Sequence, residues 1–342
     1  MNDAVTAGAW PAARSSRGAR DRYVRARRGS RPVLDPLQLQ GVLVERERAA
    51  DGGLASTATI FLTGRECAWR CVMCDLWRHT TQADTPRGAI AHQINTAVVG
   101  LRQLAAMPSV IKLYNAGSFF DPRAVPPSDD IAIVAAVQPF ARVVVESHPA
   151  LVGDRTWRLH EQLTRSHHDM RLEVAMGLET AHPSSLEQLN KGITVDAFAA
   201  TARALSAHDV DLRVFLLIDP PFVPASEQAA WLARSVAAAL DCGATAITLI
   251  PTRSGNGAME ALAAEGLFTP PSLLAIEQAV TAAMAHADRG RSRIFVDTWD
   301  LDSFATCPCC SDARQARLTE ANLSQCVPPP LTCDVCGQVT PS

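Results

Sequence analysis

No apolar run in this sequence of 342 residues is long enough to span a bilayer, so a membrane-spanning segment is not expected. The chain also lacks a surplus of charge of one sign, because its formal net charge is −3 at pH 7, and total charge therefore does not identify a partner. Charged residues make up 20% and apolar residues 47% of the chain, which is typical of a soluble globular protein and not of a disordered one. The Arg27-Arg28 pair is not followed by an apolar segment, which argues against a secretion signal.

The ten cysteines do not have the pattern of a disulfide scaffold. Seven of them fall in spacings typical of metal ligands, and we therefore expect a reducing, cytoplasmic location. Cys67, Cys71 and Cys74 form a C-x3-C-x2-C motif directly after the apolar run 58–63, which predicts a buried strand that Gly64 ends. The three thiols are thus expected on a loop at the carboxyl end of a strand, the edge where α/β folds carry their chemistry.

Three thiolates on one short loop can converge on one metal centre. A cubane iron–sulfur cluster usually takes four cysteines, so three ligands would leave one iron open to a small molecule. A structural zinc needs four ligands, and the nearest further candidate here is His79. The alternatives to a cluster are a zinc knuckle and a set of reactive thiols.

From residue 55 onward, strand-like apolar runs alternate with longer amphipathic segments that are rich in alanine. The predicted strands are 58–63, 110–115, 142–147, 171–177, 212–218 and 245–250. The predicted helices are 91–106, 128–138, 153–166, 194–208, 226–241 and 271–287, followed by an extra strand at 293–297. Six β-α units at this spacing predict an α/β fold with a parallel sheet, helices outside it, and an open or partial barrel.

Two terminal regions differ from the predicted barrel, which spans residues 37–300. Residues 1–36 are rich in Ala, Arg, Gly, Ser and Pro and have no sustained apolar period, which predicts a flexible arm. An alternative interpretation is a basic arm that binds nucleic-acid phosphates. Residues 301–342 form a cysteine-rich tail.

The tail contains two C-x2-C pairs. Their four thiolates can close a tetrahedral zinc site and so predict a zinc-ribbon-like module. The pairs are Cys307 with Cys310 and Cys333 with Cys336. Cys309 and Cys326 remain outside this pattern, and they leave a second iron–sulfur cluster as the alternative.

The C-x3-C-x2-C motif after the first predicted strand resembles that of the radical S-adenosylmethionine (SAM) superfamily. The resemblance implies a partial (β/α)6 barrel, a [4Fe-4S] cluster on Cys67, Cys71 and Cys74, and SAM bound at the open iron. An electron from a reducing donor such as a flavodoxin or ferredoxin then splits SAM into methionine and a 5′-deoxyadenosyl radical, which abstracts hydrogen from the substrate. One departure is Met73, at a position that is often aromatic in the family.

Loops after the later strands resemble the SAM-binding segments of the same family. The candidate SAM-binding residues are Gly117, Ser118, Glu146, Glu179, Lys191 and Asp219, and for Asp219 the expected contact is either adenine or the substrate. Glu179 corresponds to a polar residue that binds the ribose, and Lys191 is expected to reach the SAM carboxylate. The alternatives are ordinary turns for the Gly-Ser pair and solvated surface charges for the ionic residues. No residue is assigned as a general acid or base.

Taken together, the loop after the second strand, Val-Glu-Ser-His-Pro, Gly-Leu-Glu-Thr, Leu-Asn-Lys-Gly and the closing cysteines resemble a narrower group. This is the Elongator-catalytic-subunit-like branch of radical SAM proteins, which includes the archaeosine synthase radical SAM subunit. The resemblance implies radical chemistry on a modified tRNA nucleoside; in archaeosine synthesis it cleaves a C–N bond of a lysine-bearing 7-deazaguanine and leaves an amidine. The alternatives are a radical SAM enzyme acting on a small metabolite and a non-catalytic zinc protein that binds nucleic acid or a partner.

Overall fold

The computed structural model describes residues 8–11, 15–287 and 292–341. Its strands are β1 (Gly41–Arg48), β2 (Leu54–Leu62), β3 (Gly64–Arg65), β4 (Thr80–Thr81), β5 (Val110–Asn115), β6 (Arg142–Glu146), β7 (Arg171–Glu179), β8 (Asp211–Ile218), β9 (Ala246–Pro251) and β10 (Arg293–Val296). Eight of them form one sheet in the order β1-β2-β5-β6-β7-β8-β9-β10, while β3 pairs with β4. Strand β1 is antiparallel to β2, and every other pair in the large sheet is parallel.

Helices connect the successive parallel strands, and one further helix lies at each end of the chain. They are α1 (Arg17–Ala26), α2 (Ala89–Leu101), α3 (Asp130–Val137), α4 (Asp154–Ser166), α5 (Pro183–Gln188), α6 (Val195–Ala207), α7 (Gln228–Asp241), α8 (Ala258–Ala264), α9 (Leu273–His286) and α10 (Ser311–Ser324). The alternation of strand and helix confirms the predicted partial (β/α)6 barrel, with the sheet curled into a half-barrel and a cysteine-rich extension after it. Within the described residues, no helix is long and apolar enough to cross a membrane.

The two faces of the sheet differ because successive side chains of a strand point in opposite directions. On the outer face, residues such as Ile60, Leu113 and Val174 are fully buried in one large apolar core. The residues between them in sequence, such as Glu173, face the inside of the half-barrel. The outer face therefore carries the helices, and the inner face is left for polar groups.

Paired charges fill the inner face near the amino-terminal ends of the strands. Glu173 is fully buried and accepts hydrogen bonds from Arg213 at 2.6 Å and from Arg142 at 3.0 Å. Arg213 also donates to Glu47 at 2.6 Å, and Glu47 pairs with Lys112. Burial alone would raise the pKa of Glu47, but Arg213 and Lys112 lower it to about 2. Each buried charge thus has the partner that burial requires, and the opposite end of the half-barrel carries the cysteine loop.

Helix α10 covers the free edge of β10. The Asn322 carboxamide accepts a hydrogen bond from the Val296 amide and donates one to the Val296 carbonyl, both at 2.8 Å. Gln325 makes the same pair of bonds to Ile294, also at 2.8 Å. These side chains replace the backbone partners that a further strand would supply, and they protect the sheet edge.

Helix α1 lies against the barrel, which differs from the flexible arm that the composition predicts. Tyr23, Val24 and Trp10 are buried in a small apolar cluster that also contains Val72 of the cysteine loop and Met259 of α8. Three large apolar side chains spread over the segment are too few to give a periodic pattern, but they suffice to dock it. Residues 1–7 and 12–14 of the predicted arm lie outside the described residues.

Candidate functional site

The cysteine loop follows β2 and β3, at the carboxyl end of the strands. Cys67, Cys71 and Cys74 are free and only partly exposed. Burial raises the pKa of all three thiols, that of Cys74 to about 12, while Lys191 acts in the opposite direction on Cys67 and Cys71. Without a metal the thiols are therefore protonated, and binding of iron has to release their protons.

Hydrogen bonds to backbone groups of the cysteine loop hold it in place from two sides. The Val72 amide donates to the Leu189 carbonyl at 3.0 Å. The Asn190 carboxamide donates to the Arg70 carbonyl at 2.9 Å, and that of Asn256 donates to the Val72 carbonyl at 2.7 Å. The residues on either side of Cys71 are thus tied both to the segment after α5 and to the segment before α8.

A cluster of ionic contacts joins the loop to the amino-terminal segment. Glu66, next to the first cysteine, accepts a hydrogen bond from Arg28 at 2.7 Å and a second one from Arg31. Arg70 lies 3.2 Å from the same carboxylate. Burial raises the pKa of Glu66, but these arginines more than offset that effect and lower it. Three arginines and one carboxylate give this cluster of four side chains a net positive charge.

Trp69, between the first two cysteines, stacks on His148. The ring centroids are 3.5 Å apart and the planes differ by 12°. His148 also contacts the Lys191 carbonyl through Nε2 at 3.0 Å, and its Nδ1 accepts from the Ala150 amide at 3.2 Å. Burial is the main cause that lowers the pKa of His148 to about 3, with Lys191 acting in the same direction. The ring is therefore neutral, and it links the loop after β6 to the cysteine loop.

Glu179 and Lys191, both predicted to contact SAM, form an ion pair with each other. Glu179 has a φ of 68°, and the pairing of β7 with β8 shifts register between Gly177 and Glu179. A Cβ atom on Gly177 would overlap both charged groups of the pair. Glycine at this position therefore makes the room in which the pair is buried.

Two carboxylates at the same sheet edge have no hydrogen-bond partner for their side chains among the described residues. Burial raises the pKa of Glu146 to about 8, with Lys191 lowering and Glu179 raising it to smaller extents. Burial alone raises the pKa of Asp219, whose φ is 50°. A cation at this edge would find carboxylates that the protein itself does not neutralise.

The predicted Gly117-Ser118 segment lies beside the first cysteine. A Cβ atom on Gly117 would be 3.2 Å from the Arg65 carbonyl and 3.6 Å from the Cys67 amide, which is close enough to require glycine or a small shift. The Ser118 hydroxyl is buried and accepts a hydrogen bond from the His148 amide at 2.9 Å. Ser118 therefore has a structural partner, while Gly117 gives close access to the cysteine loop.

These residues fit a cluster with SAM. Three thiols provide ligands for three irons, and the unpartnered Glu146 carboxylate matches a ligand that carries cationic groups. The sequence indicated Glu146 and the cysteines directly. The sequence singled out the Val-Glu-Ser-His-Pro segment that contains His148, but it does not indicate the stack of His148 on Trp69, because that contact joins distant parts of the chain. An aromatic residue between the first two cysteines of the motif is the feature that could have drawn attention to Trp69.

The four tail cysteines meet at one point. The sulfur atoms of Cys307, Cys310, Cys333 and Cys336 all lie within 4.8 Å of one another. The Arg314 guanidinium is buried, donates to the Cys310 sulfur at 3.2 Å and pairs with Glu277 of α9 at 2.6 Å. Cys309 and Cys326 are exposed and lie outside this group. The predicted pairing of the two C-x2-C motifs therefore forms a compact four-thiol group tied to the barrel.

Comparison with known proteins gives two sequence matches and several similar structures, although no family model matches the chain. An uncharacterized protein of Methanocaldococcus jannaschii is 23% identical over 268 residues, covering 75% of this chain and 71% of the relative. The archaeosine synthase subunit beta of Methanosarcina acetivorans is 24% identical over 245 residues, covering 69% of each chain. The Elp3 structure of Methanocaldococcus infernus, with residues 1–46 deleted, superposes with a TM-score of 0.50 at 11% identity; the match covers 68% of this chain and 59% of that one, and it shows a shared fold.

Proposed function

We propose that this chain, whose fold and sequence relatives bear out its resemblance to the Elongator-like radical SAM enzymes, cleaves SAM reductively to start radical chemistry on a tRNA nucleoside. The observation that carries the proposal is the position of Cys67, Cys71 and Cys74. They lie at the carboxyl edge of the sheet, where the unpartnered Glu146 carboxylate and the Lys191–Glu179 pair also lie. A zinc knuckle or a set of reactive thiols would not require these charged residues at the same edge of the sheet.

In this proposal, the cysteines bind the cluster and the charged residues beside them bind SAM. The three thiolates would bind three irons and leave the fourth accessible, and the bound cluster would supply the electron that splits SAM. Glu146 would form an ion pair with a cationic group of SAM, and the nearby positive charge would favour the ionised form of its carboxyl group. The Lys191–Glu179 pair offers a cation for the SAM carboxylate and an acceptor for the ribose hydroxyls. The stacked rings of Trp69 and His148 would exclude water from this side.

Two observations support RNA as the substrate class. One sequence relative is a subunit of archaeosine synthase. The second observation is helix α1, on which Arg17, Arg22 and Arg25 are exposed and form no ion pair among the described residues. The guanidinium carbon of Arg17 lies 5.9 Å from the centroid of the Trp69 ring. The exposed arginines of α1 therefore lie next to the cysteine loop. Exposed arginines beside the proposed reaction site suit a polyanionic substrate.

The tail group is best suited to one zinc ion. With a Zn–S distance of about 2.3 Å, tetrahedral geometry separates the sulfurs by roughly 3.8 Å. Four sulfurs within 4.8 Å of one another are compatible with that arrangement. A cubane cluster holds its cysteine sulfurs at its outer corners, so it needs a wider spacing than a single ion does.

The test of the substrate class is SAM cleavage with and without RNA. Bulk tRNA should bind the cluster-loaded protein with strong salt dependence and should increase the yield of 5′-deoxyadenosine. The Arg22→Glu/Arg25→Glu double variant should weaken tRNA binding by roughly tenfold or more and flatten its salt dependence. Arg102→Glu/Arg158→Glu, which makes the same charge change on an exposed arginine directly after α2 and one on α4, is the control. SAM cleavage that tRNA does not increase, with no salt-dependent binding, would instead favour the small-metabolite alternative.

A further inference from the structure

Trp299, in the turn that follows β10, presents an indole ring with no aromatic or cationic partner among the described residues. The residue is 69% exposed, although tryptophan is on average a highly buried residue. The other five tryptophans are buried or contact another ring or an arginine; they are Trp10, Trp69, Trp77, Trp157 and Trp231. The exposed ring of Trp299 is therefore an exception within this protein.

The backbone of Trp299 is held in place even though its ring is exposed. The Trp299 amide donates a hydrogen bond to Asp297 Oδ1 at 3.0 Å, and the Arg253 guanidinium donates one to the Trp299 carbonyl. Arg253 also forms an ion pair with Asp297 at 2.9 Å, so the three residues make one connected turn. A ring presented from a fixed turn loses little conformational freedom when a ligand stacks on it.

This turn lies at the carboxyl edge of the sheet, the same edge as the cysteine loop, because β10 is parallel to β9. The loop after β9 connects the two places. Its Arg253 contacts the Trp299 carbonyl, and its Asn256 carboxamide donates to the Val72 carbonyl at 2.7 Å. Three residues of chain span at most about 10 Å. A macromolecule that places one group at the cysteine loop can therefore also contact Trp299.

The charges around the indole favour an uncharged planar group over a phosphate. Asp297 is paired with Arg253, but Asp300 is exposed and has no ion pair among the described residues. Asp302 is also exposed and accepts a hydrogen bond from Gln315 at 2.6 Å. Carboxylates repel phosphates, whereas they accept hydrogen bonds from the amino groups of nucleobases. An RNA would therefore contact this turn through a base and not through its backbone.

We propose that Trp299 stacks on an unpaired nucleobase of the RNA substrate; this inference rests on the proposed function. Every nucleobase has a flat aromatic face, and stacking on an aromatic side chain contributes to affinity whatever the sequence of the RNA. The exposed arginines of α1 would bind phosphates. The RNA would thus be held by charge at α1 and by stacking at Trp299.

Stacking and charge predict different responses to salt. Trp299→Ala should weaken the binding of bulk tRNA by about tenfold and leave its salt dependence unchanged, because no phosphate contact is lost. Trp299→Phe keeps an aromatic face and should retain most of the affinity. Trp299→Leu keeps only apolar surface and should bind as weakly as the alanine variant. Because the ring is exposed, the melting temperature should change by less than about 2 °C in all three variants.

The experiment measures anaerobic binding of two RNAs to the cluster-loaded protein over a range of salt concentrations. The RNAs are bulk tRNA and a long RNA duplex, which has no unpaired base, so Trp299→Ala should bind the duplex like the unchanged protein. Ile131→Ala is the matched control, because Ile131 is a 77% exposed apolar residue of α3, and it should leave both affinities unchanged. Binding of tRNA should quench the tryptophan fluorescence, and the quenching should be smaller in Trp299→Phe.

Three outcomes would contradict these expectations. Equal affinity of Trp299→Ala and the unchanged protein for tRNA would overturn the inference and leave the indole as a contact for a partner protein. Equal weakening of tRNA and duplex binding, together with a clearly lowered melting temperature, would also overturn it, since both indicate a structural role. Failure of the unchanged protein to bind either RNA would instead contradict the proposed function.

Discussion

The imidazole of His148 stacks on the indole of Trp69, with ring centroids 3.5 Å apart and an angle of 12° between the planes. Trp69 belongs to the cysteine loop and His148 to the loop after β6. His148 also reaches the Lys191 carbonyl at 3.0 Å. One neutral ring therefore connects three segments that the proposed chemistry needs in a fixed arrangement.

Removing this ring should loosen the cysteine loop. We expect His148→Ala to lose the stacking energy, about 1 kcal/mol, and to retain less iron after anaerobic gel filtration. His148→Phe should keep the stack and recover part of the iron. Iron per chain and the near-ultraviolet circular dichroism of the tryptophans report both effects.

A second histidine–tryptophan stack provides the control for this prediction. Trp157 and His208 lie 3.8 Å apart with planes at 4°, remote from the cysteine loop. His208→Ala should leave the iron content unchanged. Equal loss of iron in both alanine variants would show that the His148 stack has no particular role in the site.

The pH dependence of SAM binding should report Glu146. Burial raises its pKa from 4.5 to about 8, so near pH 7 the carboxyl is mostly protonated in the ligand-free protein. Cationic SAM should favour the ionised form and release a proton on binding. Affinity should therefore increase with pH, by up to about tenfold per unit below pH 8, as measured by anaerobic calorimetry in buffers of different ionisation enthalpy.

The same pKa sets the sign of the stability change. Between pH 4.5 and 8 the folded, SAM-free protein binds more protons at Glu146 than the unfolded chain does, so this residue's contribution to stability falls as pH rises through that range. Glu146→Gln should flatten both the stability profile and the affinity profile. An affinity for SAM that rises equally with pH in Glu146→Gln would assign the titration to another group.

Alanine at Gly177 should force the buried Glu179–Lys191 pair to move. A Cβ atom there would overlap the carboxylate of Glu179 and the ammonium of Lys191, which are the far ends of flexible side chains and can shift together. We expect Gly177→Ala to weaken SAM binding and to reduce the free energy of unfolding by about 1 kcal/mol. Gly100→Ala is the control, because α2 leaves open space at that position and alanine favours a helix; chemical denaturation distinguishes the two variants.

Metal in the tail should stabilise the edge of β10 through α10. One zinc per chain is expected, and Cys333→Ser should remove it. Because Asn322 and Gln325 protect the amides of Val296 and Ile294, loss of the metal should speed hydrogen exchange at both amides. Mass spectrometry of the exchanged protein measures the effect.

The control for the tail is Cys326→Ser, since Cys326 is exposed and lies outside the four-thiol group. It should keep both the zinc and the slow exchange. Iron in place of zinc at this group, or unchanged exchange at Ile294 after the metal is removed, would contradict the account of the tail.

The elements that can be predicted from the sequence are those whose apolar pattern lies within one contiguous segment. Strand β5 was predicted at 110–115 and spans Val110–Asn115, because its apolar run and its flanking breakers are contiguous. Helix α1 was not predicted, because its docking depends on Tyr23 and Val24 meeting residues far away in the chain. The edge contacts of Asn322 also depend on tertiary structure, which a single sequence does not reveal.

Radical SAM chemistry can be measured by reducing the anaerobically purified protein in the presence of SAM and quantifying 5′-deoxyadenosine together with bound iron. We expect about four irons per chain and 5′-deoxyadenosine only after reduction. Changing Cys67, Cys71 and Cys74 to Ala should abolish both, while Cys326→Ser should change neither. Zinc as the sole metal, with no SAM cleavage even after cluster reconstitution, would exclude this chemistry and leave a zinc-binding protein.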